Sequence, residues 1–229
     1  MKVPGDAATW LVTGANRGIG LAFAGELARR GARVIGTARD PGRAEDVRAT
    51  GARVEELDVS DPGSIEGLAG RLAGEPIDVL VHNAGRGDGA GQVARVEAPE
   101  LTAFFAVNVI GPMLLTRALL GNLEAGTGRR VAAITSGLAS IEQSNGGWYG
   151  YRASKAALNM FVRTLAAELA PKKFVCVLLS PGWVRTDMGG AGAPLSPEKS
   201  AAGMIGVLEK ITPAESGSFL DYRGRALPW

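Results

Sequence analysis

The feature that most constrains this chain is a regular alternation of short apolar runs with longer stretches of helical spacing. Apolar runs fall at 10–12, 33–37, 54–57, 77–81, 130–135, 174–179 and 218–222. Helical stretches lie between them at about 18–30, roughly 99–123 and 151–170. Others open at Asp40-Pro41, Asp61-Pro62 and Ser196-Pro197, where a capping side chain followed by proline is a start signal; the second of these runs to about residue 73. The run 77–81 is continuously apolar, as a strand buried on both faces should be. Strict alternation of strand and helix implies a doubly wound α/β fold of Rossmann type: a mostly parallel sheet of seven strands with helices on both faces. At 229 residues one domain with a full core suffices.

Charge and cysteine content narrow the possible partners. A net charge of +2, with the arginines scattered rather than clustered, argues against nucleic acid or an anionic membrane surface. No apolar run approaches the eighteen or so residues that span a bilayer, and Met1 to Thr9 lack the apolar centre of a signal peptide. The lone Cys176 cannot form an internal disulfide, which fits a reducing compartment, and its apolar run makes it a buried inert thiol. The expected location is the cytoplasm. His82, the single histidine, ends an apolar run with no cysteine beside it, so no metal site is expected.

Two stretches carry chemistry. Thr13-Gly14-Ala15-Asn16-Arg17-Gly18-Ile19-Gly20 joins the first strand to the first helix. Glycines at such a turn let backbone approach a pyrophosphate at the positive end of a helix. The second stretch, Tyr149 to Lys155, opens a long helix on which Tyr151 and Lys155 share one face. A neighbouring ammonium favours phenolate and lowers a tyrosine pKa from roughly 10 toward neutrality.

These motifs, with Asp58-Val59, Asn83-Ala84-Gly85, Asn108-Val109, Ser136 and Ser180-Pro181-Gly182 with Thr186, resemble in order and spacing the classical short-chain dehydrogenase/reductase family over nearly the whole length. The stretches 146–159, 181–190 and 219–229 further resemble its C-factor and sniffer-type carbonyl reductase branch. The resemblance implies a dinucleotide-binding half at about 8–95 and a catalytic and substrate half at about 96–229. It implies Tyr151 as proton donor or base, Lys155 as its pKa modulator and ribose ligand, and Ser136 as holder of the substrate oxygen. Asn108 would loosen its helix so that a backbone carbonyl binds a water leading to the lysine.

For the cofactor, the resemblance implies contacts from Gly14, Asn16, Arg17, Gly18, Ile19 and Gly20, and from Tyr151 and Lys155. Asp58 and Val59 would meet the adenine, with Asp58 accepting from its amino group. Asn83 would pin the central strands, Ala84 and Gly85 would give the cofactor room, and Pro181, Gly182, Val184 and Thr186 would hold the carboxamide end. The position matching the acid of an NAD-preferring enzyme is Ala38, and Arg39 follows it. Two guanidinium forks, Arg39 and Arg17, suit a 2′-phosphate, so NADP(H) is expected. Asp40 is the competing acid, although its place before Pro41 marks a helix cap.

The expected activity is reversible reduction of a ketone or aldehyde, a small-molecule carbonyl, to an alcohol. Alternatives are a C-factor-like signalling protein or an NADP-binding sensor; sensors often lose the tyrosine or lysine, and both are present. Ser140 rivals Ser136, because Ser136 stands slightly farther from Tyr151 than is usual in the family. Tyr149 has no lysine four residues on and is expected to be a pocket wall. The Gly- and Ala-rich segment 188–197 is expected to leave the pocket open. Arg86-Gly87-Asp88 is read as a glycine-rich loop rather than an adhesion motif. Apolar residues such as Phe104, Phe105, Met113, Met160 and Phe161 lead to a homodimer as the expected assembly.

Overall fold

The computed structural model describes residues 8–87 and 91–229. Its strands are β1 (Thr9–Val12), β2 (Arg33–Ala38), β3 (Arg53–Glu56), β4 (Val79–His82), β5 (Arg130–Ile134), β6 (Val175–Ser180) and β7 (Phe219–Asp221). All seven pair in parallel in the order β3-β2-β1-β4-β5-β6-β7. The helices are α1 (Gly18–Arg29), α2 (Glu45–Ala49), α3 (Pro62–Arg71), α4 (Ala98–Phe105), α5 (Gly111–Ala118), α6 (Leu120–Ala125), α7 (Tyr149–Leu169) and α8 (Pro197–Lys210). The expected Rossmann-type architecture is therefore present. Asp88, and with it the Arg86-Gly87-Asp88 reading, lies outside the described residues.

Alternation of side chains along the strands divides the core in two. Trp10 and Val12 of β1 face one way and pack with Phe23 and Leu27 of α1 and Met204, Ile205 and Leu208 of α8. Leu11 faces the other way, among Ile65 and Leu68 of α3, Leu115 of α5 and Leu158, Val162 and Leu165 of α7. Period two in the strands and an apolar stripe on each helix are thus the same pattern seen from both sides.

Two elements depart from the sequence expectation. The expected helix after Asp40 is a 3-10 turn, Pro41–Arg43, with the Asp40 carboxylate accepting from the Gly42 N–H at 2.9 Å, followed by the short α2. Asp40 is a cap, as its place before Pro41 indicated. The expected continuous helix at 99–123 is instead α4, a π turn at Ala106–Ile110, α5 and α6. The expectation that nothing approaches a bilayer-spanning length is also corrected. The helical run Ala98–Ala118, with a mean hydropathy of 1.4, is long and apolar enough by length and composition to cross one. In this fold it packs against α3 and α7.

At the amino-terminal ends of the strands, away from the motifs, one carboxylate ties three segments. Asp78 accepts from Thr9 N at 2.8 Å, Thr127 N at 2.8 Å, Thr127 Oγ1 at 3.0 Å and Gly128 N at 2.9 Å. Burial pushes this carboxyl up, but the four hydrogen bonds outweigh it and hold it below its ordinary value of 3.8. A depressed carboxyl stabilises the fold above the unfolded-state pKa, and that stabilisation is lost as pH falls through the folded value. Asp78→Asn replaces an all-acceptor group with one bearing donors. It should cost about 2 to 3 kcal/mol at pH 7 in denaturant unfolding, with the gap to the unaltered protein narrowing below about pH 4.

Candidate active site

The carboxyl ends of β1, β4, β5 and β6 open on one crevice, where the order of strands reverses between β1 and β4. Tyr151 stands in the first turn of α7, half-framed by two rings. Phe104 and Trp148 meet it edge-on, with centroids 6.4 and 6.3 Å away. Ser136, just beyond β5, stands beside the phenol, and its Oγ accepts from Leu138 N at 3.1 Å. Its rival Ser140 is buried in a local turn, accepting from Gln143 N at 3.1 Å. Tyr149 is 41% exposed at the start of α7, and Trp148 rather than Tyr149 packs on the Tyr151 ring.

Lys155 lies one turn beyond Tyr151, its Nζ 6.0 Å from the ring centroid. The ammonium donates to the Ile134 carbonyl at 2.8 Å, and burial drops its pKa from 10.5 to about 8. The expected lowering of the phenol pKa is not supplied by the protein's own groups. Burial pushes Tyr151 above its ordinary 10.0, and the hydrogen bond from Ser136 opposes this only in part. The physical reason is that the lysine is itself desolvated and spends its hydrogen bond on a carbonyl rather than on the phenol.

Asn108 sits fully buried in the π turn, so the helix is locally widened where asparagine was expected to loosen it. Its Oδ1 accepts from Arg86 N at 2.9 Å, and its Nδ2 donates to Arg86 O at 3.0 Å and to Ser154 Oγ at 2.9 Å. Ser154 in turn donates to the Tyr151 carbonyl at 2.8 Å. The loop after β4 is thereby bound to the first turns of α7. Gly85 completes this corner, because a Cβ there would stand 3.4 Å from both Asn108 Oδ1 and Lys155 Nζ. Behind it, His82 Nε2 meets Thr116 Oγ1 at 2.8 Å. That hydroxyl donates to Pro112 O, so the imidazole is the donor of the pair. Burial, and then the charge of Lys155, hold its pKa near 3, so it is neutral.

The glycine turn faces the same crevice. Gly14 and Gly18 have φ of 63° and 55°, and a Cβ on Gly20 would fall 2.3 Å from Gly14 O. Asn83 Nδ2 donates to Thr13 O at 2.9 Å and Gly14 O at 3.1 Å, while Thr13 Oγ1 accepts from Asn83 N and Ala84 N, both at 3.0 Å. Asn16 is exposed and Ile19 is half-buried over the core. The N-terminus of α1 has no side-chain cap and no acid in its first turn. Arg39 is exposed beyond β2, whereas Arg17 is drawn across the crevice to Asp187, 2.6 Å away.

Asp58 uses Oδ1 in a turn, accepting from Ser60 N at 2.9 Å, and Val59 packs beneath α5, whose Gly111 leaves no space for a Cβ against Val59 O. After β6, the Pro181 carbonyl accepts from Ser200 Oγ at 2.7 Å and Gly182 has φ of 79°. The following segment folds back on itself. Val184 bridges Leu195, Gly189 N donates to Thr186 Oγ1 at 3.1 Å, and Trp183 Nε1 donates to Gly189 O at 2.8 Å. Thr186 comes close enough to Gly18 that a Cβ there would stand 3.2 Å from its methyl group.

Sequence reasoning missed Ser154, Trp148 and Asp187. Ser154 carries a signal only in hindsight, inside the Tyr151–Lys155 turn; the other two depend on contacts across the fold. Cys176 is buried in β6 with its thiol pushed up to about 12, inert as expected.

The buried lysine destabilises the fold. Because its folded pKa lies below the unfolded one, the unfolded chain binds more protons between those values, and stability rises with pH there. A depression from 10.5 to about 8 corresponds to roughly 3 kcal/mol at pH 7. Lys155→Met should therefore be more stable than the parent by about 2 kcal/mol at pH 7, after allowing for the Ile134 carbonyl left unpaired. Thermal unfolding should show the advantage shrinking as pH rises above about 8.

Comparison with known proteins agrees with this geometry. The family model described as short chain dehydrogenase matches residues 8–193. The C-signal of Myxococcus xanthus is 44% identical over 155 residues, covering 67% of this chain and 93% of that protein. The NADPH-bound carbonyl reductase from chicken fatty liver superimposes with a TM-score of 0.91 at 32% identity, covering 98% of this chain and 100% of that one. The carbonyl reductase Sniffer of Drosophila melanogaster gives a TM-score of 0.90 at 30% identity, covering 97% and 100%. Turn, strand order and Tyr-Lys helix together carry one conclusion: the chain belongs to the short-chain dehydrogenase family and is an oxidoreductase.

Proposed function

We propose that the protein reduces a ketone or aldehyde to an alcohol with NADPH, reversibly, and that Tyr151 is the general acid. The observation that carries this reading is the Tyr151 phenol lying with Ser136 on one side and the buried Lys155 one turn beyond. Two neighbouring hydroxyls could both turn toward one carbonyl oxygen, Ser136 as a neutral donor and Tyr151 as the donor whose proton transfers. NADPH would supply the hydride to the carbonyl carbon. Tyr151 gives its proton to the oxygen and is left as phenolate, which favours a charged Lys155 beside it. With a pKa near 8, Lys155 can hold or pass a proton at neutral pH, so it is suited to restoring the phenol.

The residues present fit the cofactor. The uncapped α1 and the Gly14–Gly20 turn would hold the pyrophosphate. Asn16 and Ile19 belong to that turn, and Asp58 and Val59 would line the adenine. Ala84 and Gly85 leave room at the ribose near Lys155, and Pro181, Gly182, Val184 and Thr186 would hold the carboxamide end. Arg39, exposed just after β2, would meet a 2′-phosphate, and Arg17 could join it by leaving Asp187. On this reading residues 8–95 form the coenzyme half and 96–229 the catalytic half, acting in the cytoplasm. The likeness to carbonyl reductases, one of them NADPH-bound, supports the choice of coenzyme and substrate class.

Tyr151→Phe should lower turnover about 1,000-fold while the NADPH dissociation constant changes by less than about twofold. Arg39→Ala should reduce the NADPH-over-NADH preference by about 10-fold or more. Steady-state kinetics with both coenzymes and fluorescence titration test both; near-normal turnover of the Phe variant would defeat the assignment.

We further infer a homodimer. Ile110, Met113 and Met160 are 49%, 44% and 67% exposed on the π turn, α5 and α7, the helices that the family resemblance implies pack against a two-fold partner. Light scattering at micromolar concentration should give twice the chain mass, and a monomer there would overturn it. The C-signal relationship favours a second reading, signalling. A signalling effect that persists in the Tyr151→Phe variant would separate it from turnover.

A further inference from the structure

The edge strand β7 is covered by its own continuation. Leu220 bridges Ala226 in antiparallel register, Asp221 N donates to Arg225 O at 2.8 Å and Leu227 N to Phe219 O at 2.9 Å. Asp221 ties the intervening turn. Its carboxylate accepts from Arg223 N at 2.8 Å and Arg225 N at 3.0 Å, and pairs with the Arg225 guanidinium at 2.6 Å. Gly224, with φ of 82°, makes the reversal possible. The returning segment is therefore a fixed element with its outward path defined.

That path leads to the active-site loop. Trp229 packs on Phe219 with centroids 5.7 Å apart, and the Arg163 guanidinium of α7 lies 5.7 Å over its ring. The Trp229 carbonyl accepts from the N–H of Ile141. Ile141 is 78% exposed and belongs to the loop 137–148, which joins Ser136 to α7. At the far end of this loop Gly146, Gly147 and Trp148 have φ of 86°, 70° and 54°. A tryptophan in the left-handed region costs on the order of 1 kcal/mol or more, so surrounding contacts must hold it there. Trp148 is the ring that frames Tyr151. From the α7 side, Arg152 donates to Leu138 O at 3.3 Å and to Asn145 Oδ1. Among the described residues, Trp229 alone reaches the loop's tip from the sheet edge through a backbone hydrogen bond.

We propose that the returning segment 225–229 is a brace for the substrate-side loop and that Trp229 is a positioning residue for Ser136 and Trp148. The proposal rests on the reading of Ser136 and Tyr151 as the pair facing the carbonyl. By fastening Ile141, the brace holds one wall of the pocket against the strain at 146–148, while the glycine turn and Arg39 lie elsewhere in the crevice. The brace should consequently act on the carbonyl substrate and not on coenzyme binding.

Amide hydrogen exchange in the unaltered protein reads the brace directly. The Ile141 N–H should exchange at least about tenfold more slowly than that of its neighbour Glu142; equal exchange overturns the proposal. In Trp229→Ala that protection should vanish, and KM for a reducible carbonyl compound should rise about tenfold, with the NADPH dissociation constant within about twofold of the parent. Trp229→Phe keeps a ring against Phe219 and Arg163 and should restore most of the KM. An unchanged KM in the Ala variant, or equal losses of carbonyl and coenzyme affinity that Phe does not rescue, would refute it. If the unaltered protein reduces no carbonyl compound, the functional reading fails. Exchange of the 137–148 amides in Trp229→Ala still decides whether Trp229 holds the loop.

Discussion

The junction between β1 and β4 is the constraint on which the rest of the molecule depends. Strand order reverses there, so helices leave in opposite directions and a crevice opens at the carboxyl ends. Thr13 and Asn83 hold the junction through side chain to backbone hydrogen bonds of 2.9 to 3.1 Å in both directions. Gly20 is a consequence of the same contact, since a Cβ would fall 2.6 Å from Asn83 Nδ2. The turn that can receive a phosphate and the strand that leads to Lys155's surroundings are thus one rigid unit.

Around that unit the site combines groups that burial makes unfavourable. Lys155 is buried with no carboxylate partner among the described residues, His82 is kept neutral beside it, and the Tyr151 phenol is desolvated. Each would be better solvated elsewhere, and the stability they forgo is offset by the two large cores on either side of the sheet. What the arrangement provides is a lysine that titrates near neutral pH and a phenol whose proton is retained until a partner arrives. A neutral donor and a movable proton are what the proposed carbonyl reduction would draw on.

Cross-connections between distant segments then hold the crevice in shape. Asn108 joins the loop after β4 to α7, Arg17 meets Asp187 across the opening, and Trp229 meets Ile141. The exposed Arg17–Asp187 pair contributes little to stability, about 0 to 1 kcal/mol; on the proposed function, coenzyme phosphates would compete for the same guanidinium.

Local patterns read from the sequence carried most of this architecture. Alternating apolar runs set the order of strands and helices, and Asp40-Pro41 and Asp61-Pro62 marked caps that the structure contains. The glycine turn and the Tyr151–Lys155 spacing located the crevice, because both depend on residues close in sequence. The break of the run 99–123 into α4, a π turn and α5 was legible only as an asparagine out of place. The direction of the Tyr151 shift, the burial of Ser140, the capture of Arg17 by Asp187 and the contact of Ile141 with Trp229 were decided by tertiary structure alone. The physical reason is common to all four. Burial and long-range hydrogen bonding are properties of packed surroundings, and nothing in a residue's immediate neighbours specifies how much water it will lose or which distant group will face it.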